Sequence, residues 1–106
     1  AVFRWIEANW ELEHNPGMEH VEGPEARYMG LYYYYLTIAR TLDASAKRGL
    51  EPEVPGDGGW KADLARTLVA SQRADGSWIN DQDRWWEGSP ALVTAYALLA
   101  LEKCLK

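Results

Sequence analysis

With 106 residues, 47% of them hydrophobic and 25% charged, the chain has the length and composition of one core-forming domain and is too short for a multidomain enzyme. Sixteen acidic against 11 basic residues give a net charge of −5 and no basic block on which a phosphate backbone could condense, which excludes nucleic acid as the expected partner. The longest apolar stretch, Ala91 to Leu101 interrupted only by Thr94, is well short of the roughly 20 residues of a bilayer helix, so no membrane span is expected, and the single Cys104 permits no internal disulfide.

The chain opens at Ala1, inside what already reads as a helix, as expected of a piece of a longer protein. The first predicted helix runs from Phe3 to about Leu12, where Phe3, Ile6 and Trp10 recur at spacings of three and four with Trp5 and Leu12 beside them. Asn15-Pro16-Gly17 ends it. From about Glu25 to Ala46 a second helix carries Tyr28, Met29, Leu31, the run Tyr32 to Tyr35, Leu36, Ile38, Ala39 and Leu42 around most of its circumference. That is the pattern of a helix buried on more than one side. Gly49 to Gly59, with Pro52 and Pro55, disfavours both helix and strand and reads as a connector. A third helix is predicted over Trp60 to Ser71, with Leu64, Leu68 and Val69 on one face and Lys61, Asp63 and Arg66 on the other. It stops at Ala74-Asp75-Gly76. Ser89-Pro90 then supplies an N-cap and a proline at the first helical position for the fourth helix, Ala91 to about Cys104, which is apolar nearly all round. No alternating strand pattern occurs, so the expected fold class is all-α.

Laid over one another at an offset of 61, the two halves pair Tyr35 with Tyr96, Leu36 with Ala97, Ile38 with Leu99 and Ala39 with Ala100. Each half reads as an amphipathic helix, a turn and a more apolar helix. In such arrays the apolar helix lines the inside and is covered by neighbouring repeats, so two repeats make an incomplete object. The most specific signal is Leu68-x3-Gln72-x3-Gly76-x-Trp78, with Thr67 where an aromatic usually precedes the leucine. It resembles the QW motif of the squalene cyclase and prenyltransferase repeat family. Pro90 to Leu101 resembles that family's inner helix, and Asn15-Pro16-Gly17-Met18 ahead of the tyrosine-rich helix is similar to bacterial repeat-containing members. The resemblance implies helical hairpins of an α/α toroid. Residues 1–106 would be a single partial toroid domain, about two of six repeats, with repeat 1 over about 1–48 and repeat 2 over about 60–106. It also implies structural roles for Gln72, which closes the outer helix and stacks on the tryptophan, for Gly76 in the tight turn, and for Trp78.

Polyprene cyclases of the family protonate substrate through a DxDD motif, and Asp81-Gln82-Asp83 lacks the two adjacent terminal acids. The family's zinc set of aspartate, cysteine and histidine has no counterpart either, because Val93 and the tyrosine run occupy the inner-helix positions. His14 and His20 fall in a loop and read as solvated, and Cys104 lies near a helix end. No catalytic residue, metal or cofactor is therefore assigned. Two groups remain as candidate ligand-binding residues. Tyr28, Tyr32 and Tyr35 share one helical stripe, where ring faces could stabilise a cation or simply pack the core. Asp81, Asp83, Trp85 and Trp86, with Arg84 and Glu87, form an acidic and aromatic loop. That loop suits saccharide binding or acid-base work, or is a capped connection whose carboxylates lie at a helix N-terminus. The expected function is binding of a hydrophobic, isoprenoid-like ligand in the parent protein, without catalysis by this part alone. The alternative is a non-enzymatic helical-repeat module that binds protein or glycan. A second copy of the chain, or the parent's missing repeats, is the expected partner for the uncovered side of the fourth helix, with Leu98 or Leu101 near the centre of the contact.

Overall fold

The computed structural model describes residues 2–16, 18, 26, 28–82 and 86–105. Among these residues it is all-helical, with four α-helices and no strand: α1 (Val2–Ala8), α2 (Leu31–Ala46), α3 (Gly59–Ser71) and α4 (Pro90–Cys104). No helix among them is long and apolar enough to cross a membrane.

The two later helices start within a residue of their predicted positions, because glycine and proline punctuate them. Pro90 occupies the first turn of α4 as expected, although the Ser89 side chain makes no capping bond. The two earlier helices are shorter than predicted. At the end of α1 the backbone and side-chain amides of Asn9 both donate to the Trp5 carbonyl at 2.9 Å, closing the last turn. The chain then turns so that Leu12 enters the core and the Trp10 indole donates to the Asp63 carboxylate on α3 at 2.7 Å. Helix α2 starts at Leu31 because Gly30 ahead of it adopts φ 64°, a left-handed conformation that glycine takes at little cost. The predicted start at Glu25 lies outside the described residues.

Helix α4 packs along α2 and, over a smaller area, against α3. Ala39, Ala97 and Ala100 are fully buried in one cluster with Leu42, Leu64, Leu68 and Val93, and the small alanine side chains admit close helix approach. The buried positions of α2 are Leu31, Tyr32, Tyr35, Leu36, Ala39, Leu42 and Asp43. Their counterparts 61 residues on, Leu92, Val93, Tyr96, Ala97, Ala100, Lys103 and Cys104, are all buried or half-buried. The two helices bury the same face. Near the C-terminal end of α2, Asp43 lies 3.4 Å from Lys47 and 3.6 Å from Lys103 of α4. Burial pushes its carboxyl pKa up, but the two ammonium groups outweigh this and hold it below the usual range. The pair therefore stabilises the fold above the ordinary carboxylate pKa and is lost as pH falls through the lowered one.

The segment from Gln72 to Trp78 closes α3. The Gln72 amide donates to the Gly76 carbonyl at 3.0 Å, Arg73 N–H donates to the Ser77 carbonyl, and Gly76 takes φ 90°. Trp78 is 1% exposed; its indole N–H donates at 2.8 Å to the carbonyl of Leu68, one of the last-turn carbonyls that the helix leaves unpaired. Its backbone N–H donates to the Thr94 hydroxyl of α4 at 3.0 Å. One residue thus seals the end of α3 and joins it to α4, whereas Gln72 is solvent-exposed and its bond serves the turn alone. Trp78→Ala is expected to cost about 3–5 kcal/mol, the range for a buried aromatic that also leaves polar groups unpaired, and Gln72→Ala about 1 kcal/mol or less. Urea melts of the two variants measure the difference.

Candidate functional site

The first turn of a helix leaves backbone N–H groups without helical partners. At the start of α2 these groups lie in the interior, and a carboxylate from the other half of the chain meets them. Glu87, 1% exposed, accepts from Tyr32 N–H through Oε1 and from Tyr33 N–H through Oε2, each at 2.9 Å. Asn80 sits beside it, donating from Nδ2 to Glu87 Oε1 at 3.0 Å and to the Tyr28 carbonyl at 2.6 Å. Backbone Asn80 N–H donates to the Glu87 carbonyl at 3.0 Å, and Asn15 Nδ2 donates to the Met29 carbonyl at 2.8 Å. These bonds pair the Tyr32 and Tyr33 amides and the Tyr28 and Met29 carbonyls at α2's entry. The negative carboxylate also faces the positive end of the helix dipole. One carboxylate of the acidic and aromatic loop thus lies at a helix N-terminus, that of α2, more than 50 residues upstream.

Against this network lies a cleft of about 300 Å³, lined by Tyr28, Leu31, Tyr32, Ile79, Asn80, Asp81 and Gln82. Three of the sequence-predicted residues, Tyr28, Tyr32 and Asp81, meet here. Tyr28 is 41% exposed and its ring lies 5.0 Å from that of His14, which is half-buried and paired with Glu11 rather than solvated. Tyr32 is buried at the cleft floor. Burial raises its phenol pKa, a Ser71 hydrogen bond works against that rise, and the nearby carboxylates of Glu87 and Asp81 reinforce it. Tyr35 lies deeper, edge-on to Tyr32 at 5.2 Å, and its hydroxyl donates to the Leu12 carbonyl. Tyr34 likewise donates to the Glu11 carbonyl at 3.0 Å, and burial, helped by Glu11, pushes its phenol up to about 12. Trp86 is 80% exposed and holds φ 70°, a strained backbone for a bulky residue. Asp83, Arg84, Trp85 and His20 lie outside the described residues.

Sequence reasoning missed Leu31, Ile79, Asn80 and Gln82 as lining residues, and it placed Glu87 in the loop without a role of its own. Asn80 stands two residues beyond the tryptophan of the turn motif, and that position was the available signal. The cleft offers ring faces, two aliphatic side chains, two amides and one carboxylate, a set suited to holding a small molecule. Among the described residues no group of three or more His, Cys, Asp or Glu is placed to hold a metal ion. The half-buried Cys104 donates to the Ala100 carbonyl, and burial pushes its thiol up to about 11, with Lys61 opposing, so it is a protonated packing residue at neutral pH.

No protein-family model, curated protein or solved structure matches the chain.

Removing the Glu87 carboxylate would leave the buried Tyr32 N–H and the part-buried Tyr33 N–H without an acceptor and take from the Asn80 amide one of its two. Glu87→Ala is expected to destabilise by roughly 3–5 kcal/mol and Glu87→Gln by about half that, since the amide retains one acceptor oxygen. Chemical denaturation measures both.

Proposed function

We propose that the chain is a two-hairpin section of a QW-type helical repeat array, a partial α/α toroid of the squalene cyclase and prenyltransferase kind, that binds a hydrophobic, isoprenoid-like ligand. The observation that carries the reading is the turn after α3. Trp78 seals the last turn of α3 through its indole on the Leu68 carbonyl and Gly76 takes the turn's positive φ, which supports the reading, whereas the exposed Gln72 bonds only the Gly76 carbonyl. The shared buried face of α2 and α4 at a separation of 61 residues supports a repeat. The rings of Tyr28 and Tyr32 with Leu31 and Ile79 provide an apolar wall in the cleft. Catalysis is not assigned to this chain alone: neither the acid motif nor the zinc set of the resembled enzymes stands in its sequence.

A second reading, a non-enzymatic module for glycan or protein, is favoured by the polar half of the cleft, Asn80, Asp81 and Gln82, and by the exposed Trp86. Titrating the chain with farnesol and, separately, with a neutral oligosaccharide while following tryptophan fluorescence separates the two. Saturable farnesol binding is expected, weakened about tenfold in Tyr28→Ala, a change at a partly exposed residue. Saturation by the oligosaccharide alone would favour the second reading; saturation by neither would remove both small-molecule readings.

A further inference from the structure

The first turn of a helix ordinarily attracts negative charge, because its N–H groups lack helical partners and it is the positive end of the helix dipole. At the start of α2 that capacity is already taken. Glu87 accepts from the Tyr32 and Tyr33 N–H groups at 2.9 Å each. The Asn80 side-chain amide spends both its hydrogens within the chain, on Glu87 Oε1 at 3.0 Å and on the Tyr28 carbonyl at 2.6 Å. The backbone N–H groups of Asn80 and Gln82 are bonded likewise, to the Glu87 carbonyl at 3.0 Å and to Asn80 Oδ1 at 3.1 Å.

The charges around the adjoining cleft have one sign. Asp81 lines it and is exposed, and no Lys, Arg or His stands among its described lining residues. Glu87 adds a second carboxylate beside Asn80, and both carboxylates act on the Tyr32 phenol at the floor, reinforcing the rise in its pKa that burial causes. His14, in ring contact with Tyr28, has Glu11 as its partner, so that carboxylate offsets its charge when it is protonated.

Taking the cleft as the ligand site, as proposed above, we infer that its ligand is an organic cation: an amine whose ammonium group lies at Asp81 and whose hydrocarbon body lies along Tyr28, Tyr32, Leu31 and Ile79. Aromatic rings pack hydrocarbon and also attract a cation through their quadrupoles, and a carboxylate at the rim fixes the charged end. A carboxylate or phosphate head in the same place would meet Asp81 and the field of Glu87 with no basic side chain among the described lining residues to receive it. A neutral alcohol keeps the hydrocarbon contacts and gains nothing from the charge. Affinity therefore follows charge, amine over alcohol over acid.

Geranylamine, geraniol and geranic acid share one tail, short enough for a cleft of about 300 Å³, and are positive, neutral and negative at neutral pH. Titration calorimetry of the three at low ionic strength tests the inference. Geranylamine is expected to bind about tenfold more tightly than geraniol, the combined effect of one exposed ion pair and a cation–ring contact, and geranic acid more weakly than either. Asp81→Asn is expected to cut that preference to about threefold or less while leaving geraniol affinity within about twofold. Glu53→Gln, the same change of charge at an exposed residue outside the cleft lining, is expected to leave the preference intact. Tyr28→Leu, which keeps apolar bulk and removes the ring, is expected to weaken the amine more than the alcohol. Geraniol or geranic acid binding as tightly as the amine would overturn the cation and leave the hydrophobic ligand standing. A preference that survives Asp81→Asn, or that falls equally in Glu53→Gln, would overturn it by tracing the attraction to the net charge of −5 rather than to the cleft. Saturation by none of the three would overturn both the cation and the hydrophobic-ligand reading.

Discussion

The carboxylate of Glu87 holds the two halves of this chain in one arrangement. Its oxygens accept the Tyr32 and Tyr33 amides at the start of α2 and the side-chain amide of Asn80, all at the junction between the halves. A buried ionised group is costly unless it is fully hydrogen-bonded, and here each oxygen has a donor while the helix dipole supplies a favourable field. Because the partners are backbone groups of one half and side chains of the other, the polar requirement and the packing requirement are met only in the same geometry. The cleft depends on it directly. Tyr32, whose amide is bound by Glu87, forms the floor, and Asn80, bound on the other side, forms part of the wall.

The remaining contacts extend that constraint along α2. At its far end Asp43 meets Lys103 of α4, so the two helices are joined by charge at one end and by a buried carboxylate near the other, with alanines between them. The tyrosine run connects α2 to the N-terminal segment through hydroxyl bonds to the carbonyls of Glu11 and Leu12. Trp10, reaching Asp63, and Trp78, reaching Leu68, attach α3 on either side. A small domain has little apolar area per residue, and this one uses amphipathic aromatics: Trp10, Tyr34, Tyr35, Trp60 and Trp78 each also satisfy a backbone or carboxylate acceptor.

The sequence was most informative where local chemistry decides the structure. Gly58-Gly59, Asp75-Gly76 and Ser89-Pro90 bound α3 and α4, and their apolar periodicity survives in the observed core. It was least informative where a competing interaction wins. Helix α1 ends at Ala8 although the apolar periodicity runs on to Leu12, and Gly30 delays α2 although the apolar pattern continues through it. The site shows the same division. Tyr28, Tyr32 and Asp81 are conspicuous as residue types and do meet, yet their meeting depends on a pairing between Glu87 and α2 across more than 50 residues. Helical spacing sets Tyr35 on one stripe with Tyr28 and Tyr32, but Tyr28 lies ahead of α2 and the Tyr35 hydroxyl turns to the Leu12 carbonyl, which no spacing rule identifies.

Amide hydrogen exchange at Tyr32 and Tyr33 tests the role of Glu87 most directly. First-turn amides of a helix ordinarily exchange rapidly because they lack helical acceptors, so protection there reports an acceptor from elsewhere. Both amides are expected to exchange as slowly as those at the centres of α2 and α4, through global unfolding, and Glu87→Gln is expected to speed at least one of them selectively. Fast exchange of both in the parent chain, with the centres of the helices still protected, would contradict that role.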